Sequence, residues 1–137
     1  MRIIIAGSLS AAEEIIEIKD ELVARGDEVE YPTGVKKYES QGHQMPSDEE
    51  KAQDKIDHDL IRGYFEKIKD YEALLVVNPE KNGVPGYIGG NTLIEMAFAF
   101  VLHKPIYLLH PIPNMPYTSE IEAMMPVVID EDLSKLK

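Results

Sequence analysis

The chain has 137 residues, 44% of them apolar, and 14 Lys and Arg against 25 Asp and Glu give a net charge of −11. That length holds one domain, residues 1–137, with one core; the acidic balance argues against a nucleic-acid polymer as partner, because phosphate neutralisation needs Lys and Arg. No apolar run reaches the length of a membrane span, and the absence of Cys removes disulfide and thiol chemistry and fits a reducing, cytoplasmic home.

In chain order, Ile3, Ile4, Ile5 and Ala6 form a continuous apolar run, read as a first strand covered on both faces rather than as a secretory signal. Gly7-Ser8-Leu9-Ser10 then turns into a helix over 11–25. Its Ile15, Ile18, Leu22 and Val23 share a stripe, and Gly26-Asp27 stops it. Residues 28–31 (EVEY) are a weaker second strand. Residues 32–47 (PTGVKKYESQGHQMPS) read as a long polar insertion, a lid or a disordered loop. Ser47-Asp48-Glu49-Glu50 has the capping-box pattern and opens a helix reaching Lys69. That helix is polar at first and then carries Ile56, Leu60, Ile61, Tyr64, Phe65 and Ile68. Residues 73–77 (ALLVV) are a third strand. A loop rich in Gly, Pro and Asn leads to a helix over 92–103, ended by Lys104-Pro105. Residues 106–109 (IYLL) are a fourth strand. A second capping-box pattern, Ser119 to Glu122, precedes a fifth strand at 127–129, and 130–137 form a short terminal helix or tail.

Strands alternating with helices define an α/β class: a three-layer, doubly wound, about five-stranded parallel sheet with right-handed crossovers and a flavodoxin-like strand order. Ligands of such sheets bind beyond the carboxyl ends of the strands. That rule singles out residues 7–10, 78–92 and 110–117, all loop-like.

The chemistry centres on Glu95, a single acid at the front of an otherwise apolar helix. One reading makes Thr92-Leu93-Ile94-Glu95 a capping box, with Glu95 turned back to its own helix end. The other aims Glu95 into the crevice as a nucleophile on a sugar carbon. The preceding Gly89, Gly90 and Asn91, together with Thr92, would then bring backbone amides close to a ligand. Gly7 and Ser8 offer amides at the first strand-to-helix turn, without the spacing of a dinucleotide or triphosphate loop. Asn78 ends the third strand in the same crevice. Asp59, beside His58, could help a leaving group depart or could lie on a solvated helix face. His43, His58, His103 and His110 lack metal-ligand spacing, so neither metal nor cofactor is expected. No Ser sits in a GxSxG turn. Lys36, Lys37 and Lys81 are loop cations that could meet a phosphate or be merely solvated. Residues 96–102 are apolar all round, which fits either cover by the sheet on one side and a subunit partner on the other, or a helix buried in the interior.

Three stretches taken together carry a family resemblance. They are Asp70-Tyr71-Glu72-Ala73-Leu74-Leu75-Val76-Val77-Asn78, then Gly90-Asn91-Thr92-Leu93-Ile94-Glu95-Met96-Ala97-Phe98-Ala99, then Lys104-Pro105-Ile106-Tyr107-Leu108-Leu109. The chain resembles the nucleoside 2-deoxyribosyltransferase family and its nucleotide N-glycosidase relatives over roughly residues 2–109. The resemblance implies that Glu95 attacks the anomeric carbon of a nucleoside or nucleotide, that Gly7 and Ser8 contact the base or sugar, and that the protein acts as a homodimer or higher oligomer. Asn114 and Tyr117 are the candidates for residues offered to a neighbouring subunit. Gly89-Gly90-Asn91-Thr92 leading to Glu95 is also similar to the phosphate-holding signature of lysine-decarboxylase-like phosphoribohydrolases, without its third glycine. Where many transferases carry an acid shortly before the nucleophile, this chain has Tyr87-Ile88-Gly89-Gly90. The expected function is therefore cleavage or transfer at an N-glycosidic bond; the alternative is a non-catalytic nucleotide-binding oligomeric module.

Overall fold

The computed structural model describes the backbone of residues 1–137 and every side chain except those of 54, 55, 57 and 58. Five parallel strands form one sheet in the order β2-β1-β3-β4-β5. They are β1 (Arg2–Ala6), β2 (Glu28–Glu30), β3 (Ala73–Val76), β4 (Ile106–Leu108) and β5 (Val127–Val128). Six helices accompany them: α1 (Ala12–Ala24), α2 (Thr33–Ser40), α3 (Asp48–His58), α4 (Leu60–Lys69), α5 (Gly90–Val101) and α6 (Thr118–Ala123). The architecture is the doubly wound α/β arrangement expected from the apolar runs.

The continuous apolar runs work because a strand's side chains alternate between faces. Ile3, Ile5, Leu75, Val77 and Leu109 meet Ile15, Ile18 and Leu22 of α1 and Val35 and Tyr38 of α2 on one side. Ile4, Ala6, Leu74, Val76 and Leu108 meet Tyr64 and Ile68 of α4, Met96 and Ala99 of α5, and Ile121 of α6 on the other. Register places Ile4 beside Leu74 and Leu74 beside Ile106. β1 and β3 are thus sheathed on both sides, and each buried Ile or Leu contributes about 1.5–3 kcal/mol of hydrophobic free energy.

Helix ends follow local chemistry. After α1, Gly26 takes φ +99, with the Gly26 amide donating to Val23 O and Asp27 to Leu22 O at 3.0 Å each, the paired bonds of a Schellman ending. His103 makes the same ending after α5 at φ 58, with Lys104 N donating to Ala99 O and His103 N to Phe100 O. The Ser47 hydroxyl accepts from the Glu50 amide at 3.1 Å, which is half of the expected capping box. Ser119 does not cap α6, whose first residue is Thr118; the Thr118 hydroxyl instead accepts from the Met115 amide at 2.7 Å.

Three boundaries depart from the sequence reading, and all three shape the site. Residues 32–47 are not a structureless loop: they contain α2, with Val35 and Tyr38 buried against the sheet. Gly34 and the flanking polar residues mask that two-residue apolar stripe. The expected helix from 48 to 69 is broken at Asp59, which sits in the left-handed region at φ 47, a conformation that Asp tolerates better than most residues. Helix α5 begins at Gly90 with Gly89 at its cap, two residues earlier than Thr92. Val23, expected on the α1 stripe, is 53% exposed.

Candidate active site

Helix α5 runs from Gly90, so Thr92 is an interior residue and not a cap, and α5 has no acid in its first turn. The capping-box reading of Glu95 fails for that reason. At 3.6 residues per turn, Asn91, Ile94 and Glu95 share one face and Thr92, Met96 and Ala99 another. The second set is buried toward the sheet. The first lines a cavity of about 680 Å³.

That cavity lies where the strand order reverses between β1 and β3, the place where doubly wound sheets bind ligands. One wall is the turn after β1, residues 7–10. A second is α2 with the residues flanking it, including Pro32, Lys37, Tyr38 and Met45. The α3–α4 pair contributes Glu50, Lys51, Ile61, Tyr64 and Lys67, while Lys81 reaches in from the loop after β3. The break at Asp59 separates α3 from α4, and both helices line the cavity.

Among the described residues, the buried polar side chains are Asn78, Thr92 and Glu95, at 1%, 4% and 5% exposure. Glu95 is the charged one. A carboxylate out of water is unfavourable unless hydrogen-bonded, and Asn91 Nδ2 donates to Glu95 Oε1 at 2.8 Å. Glu95 thus sits on a cavity wall with one oxygen held by a side chain one turn earlier. Tyr64, also on the wall, donates its hydroxyl to the Ile5 carbonyl. Burial first, and then the Glu95 charge, push its phenol well above the ordinary value, so it stays neutral.

The other sequence candidates divide. Gly7 and Ser8 are on the wall. Gly7 is needed for packing as well: a Cβ there would stand 2.9 Å from Ile15 Cδ1 and 3.0 Å from the Val77 carbonyl. Ser8 Oγ and Ser10 Oγ are 2.6 Å apart. Asn91 is on the wall, whereas Gly89, Gly90 and Thr92 are not among its residues. Asn78 is a clamp, not a ligand contact. Its Nδ2 donates to the carbonyls of Gly86, His110 and Pro111 at 3.2, 3.1 and 3.3 Å, and its Oδ1 accepts from the His110 amide at 2.9 Å. Asp59 does not reach the cavity; it pairs with Arg62 at 2.9 Å and its side chain is 55% exposed. The side chain of His58 lies outside the described residues. Tyr117 donates its hydroxyl to Ile88 of its own chain, and burial, then Tyr87, raise its phenol. Asn114 is exposed, and neither residue lines the cavity.

Two contributors went unrecognised in the sequence. In the sequence, Tyr64 shows only as part of an apolar stripe. The Asn82-Gly83 pair after Lys81 carries the strongest short-range turn signal, and it organises the loop that presents Lys81. Both residues have positive φ, 53 and 78, and Lys81 and Val84 exchange backbone hydrogen bonds at 3.2 and 2.9 Å. That is the I′ pattern of a two-residue hairpin turn. Lys36 is drawn away to Glu30, whereas Lys37 lines the cavity.

Among the described residues there is no helix long and apolar enough to cross a membrane and no cluster of metal-ligating side chains. α5 is covered by the sheet and by α4, whose Phe65 ring meets Phe98 at 5.0 Å, while Phe100 and Val101 stay exposed at 39% and 64%. The fold and cavity define a doubly wound α/β protein with a switch-point pocket. Compared with protein-family models, curated proteins and solved structures, the chain finds no significant match in any of the three.

Proposed function

We propose that the protein cleaves or transfers at the N-glycosidic bond of a (deoxy)nucleoside or nucleoside monophosphate, with Glu95 as nucleophile. The observation that carries this reading is a single buried carboxylate on the wall of the switch-point cavity, one oxygen fixed by Asn91. A carboxylate so placed suits attack on an anomeric carbon, because the transition state there has oxocarbenium character and gains from adjacent negative charge. The Glu95 oxygen bonds to C1′ as the C1′–N bond breaks, and the base leaves with the bonding pair and takes a proton from water. A water molecule or a second base then attacks C1′, breaks the ester and restores the carboxylate. Asp59 has no part in the proposal, since its side chain points to Arg62 outside the cavity. The exposed apolar face of α5 supports a homodimer or higher assembly.

The test is release of free base from a panel of nucleosides and their 5′-monophosphates, followed by chromatography. Wild type releases base, and Glu95→Ala loses release by about a thousandfold or more while its melting temperature stays within a few degrees. Equal release by the variant would overturn the assignment. A second reading, a non-catalytic nucleotide-binding module, draws support from the lack of an acid at residues 87–90 and from the outward placement of Asp59. It expects thermal stabilisation by ligand without base release.

A further inference from the structure

A nucleophile is half of glycosidic cleavage; the base must also be able to leave. A neutral purine or pyrimidine departs as an anion unless a proton reaches it, and a positioned acid contributes about 10²–10⁴-fold to such a step. To hold its proton near neutral pH, a carboxyl needs burial or a like charge beside it. Among the described residues of the wall, Glu95 is the one buried carboxyl. Glu50, the other carboxyl there, stands exposed in the first turn of α3. The donor to Glu95 Oε1, at 2.8 Å, is the amide of Asn91. An aspartate in that place would share a proton with Glu95, whereas an amide does not titrate.

The phenols of the wall are committed elsewhere. Tyr38 donates to Glu13 Oε1 at 2.6 Å, and Tyr64 donates to the Ile5 carbonyl. Both hold their protons more firmly than an ordinary phenol, Tyr38 chiefly through the Glu13 bond and Tyr64 chiefly through burial. Of the wall lysines, Lys51 pairs with Asp48 at 3.5 Å and Lys67 with Glu30 at 3.3 Å, while Lys81 lies 5.4 Å over the Tyr87 ring. The site thus joins a buried anion that can attack to a wall without a buried acid that can protonate.

That combination suits a base that is positively charged before the reaction. As a Glu95 oxygen bonds to C1′ of such a glycoside, the C1′–N bonding pair moves onto the ring nitrogen and the base leaves neutral, with no proton transferred. A carboxylate and a cation vanish together, a change favoured where water is scarce, because separate charges are poorly solvated there. Water then attacks C1′, the ester breaks, the carboxylate is restored, and the proton released from that water passes to solvent. Met45, Ile61 and Ile94, large apolar side chains that the chain leaves exposed, line the same cavity and suit a flat ring.

We infer that the preferred substrate is an N-glycoside with a cationic base, a pyridinium or an N7-alkylated purine, over a neutral nucleoside. The inference names the substrate class of the proposed Glu95 site and rests on that reading for the nucleophile.

Rates of base release are measured by chromatography in mildly acidic buffer, with release in the absence of protein subtracted. The pairs are 7-methylguanosine with guanosine, which differ by one methyl group and one charge, their 2′-deoxy counterparts, and nicotinamide riboside with adenosine, each also as its 5′-monophosphate. Wild type cleaves at least one cationic member about a hundredfold or more faster than its neutral counterpart, the factor that a missing acid withholds from a neutral base. Glu95→Gln loses that release while its melting temperature stays within a few degrees. A smaller preference in every pair, with release still lost in Glu95→Gln, overturns the inference and leaves the glycosidic reading standing. Release that persists in Glu95→Gln, or no release from any member, overturns both.

Discussion

Asn78→Ala offers the sharpest test of how the crevice is built, because the sequence placed Asn78 against the ligand and the structure places it against the backbone. Its two Nδ2 hydrogens are shared among three carbonyls, and Oδ1 takes the His110 amide. Truncation therefore removes up to three hydrogen bonds at a site that is 1% exposed. With about 0.5–1.5 kcal/mol net for each bond and some added penalty for groups left dry and unpaired, the expected loss is about 2–4 kcal/mol. Unfolding entropy of about 2.1 cal/mol/K per residue gives this 137-residue chain about 0.29 kcal/mol/K. The melting temperature should then fall by about 7–14 °C in a circular-dichroism melt. Ligand binding per folded molecule should fall much less. A variant that melts within 2 °C of wild type but no longer binds ligand would refute the clamp and restore the contact role.

The remaining expectations follow from the same loop and its surroundings. At Gly86 a Cβ would stand 2.2 Å from the Pro111 carbonyl, and φ is +71. Gly86→Ala should therefore destabilise by more than about 3 kcal/mol, against about 1–2 kcal/mol for Gly83→Ala, where φ is +78 but space is open; urea titrations giving equal losses would show that the Gly86–Pro111 approach is not tight. Glu30 ties the end of β2 to Lys36 and Lys67. Burial works to raise its carboxyl, but the Lys36 bond, the Tyr31 amide and the Lys67 charge outweigh that and lower it overall. A lowered folded value means that its stabilisation is present above the ordinary carboxylate range and lost as pH falls through the folded value. Glu30→Gln should accordingly be less stable than wild type at pH 7, with the gap narrowing as pH falls below the ordinary carboxylate range, and a gap that stays constant with pH would exclude the ion pairs as the cause.

How much of this was legible without coordinates depends on the range of the forces involved. Strand placement was open to reading, because a strand covered on both faces must be apolar at every position, and Ile3, Ile4, Ile5, Leu74 and Leu75 announce that directly. The alternation with helices fixed the class and the parallel sheet, and the crossover rule left a switch point as the place to look. Helix α2 escaped because two apolar residues within a polar run give too weak a period. The phase of α5 escaped because a helix apolar all round carries no stripe to show which face turns inward; contact with β3 and β4 settled that and sent Asn91 and Glu95 to the cavity together.

The chain's own order of residues therefore determined which segments are strands and helices, that the sheet is parallel and which carboxylate stands out. Tertiary structure alone decided what those segments enclose. Whether a polar side chain at a strand end faces a ligand or a neighbouring carbonyl depends on groups distant in the sequence, as Asn78 meets His110 and Pro111. The same holds for Asp59, turned outward by one left-handed residue, and for Lys81, turned inward by a two-residue turn. Local propensity is summed over neighbours in the chain, whereas a cavity wall is assembled from residues that meet only after the sheet has closed.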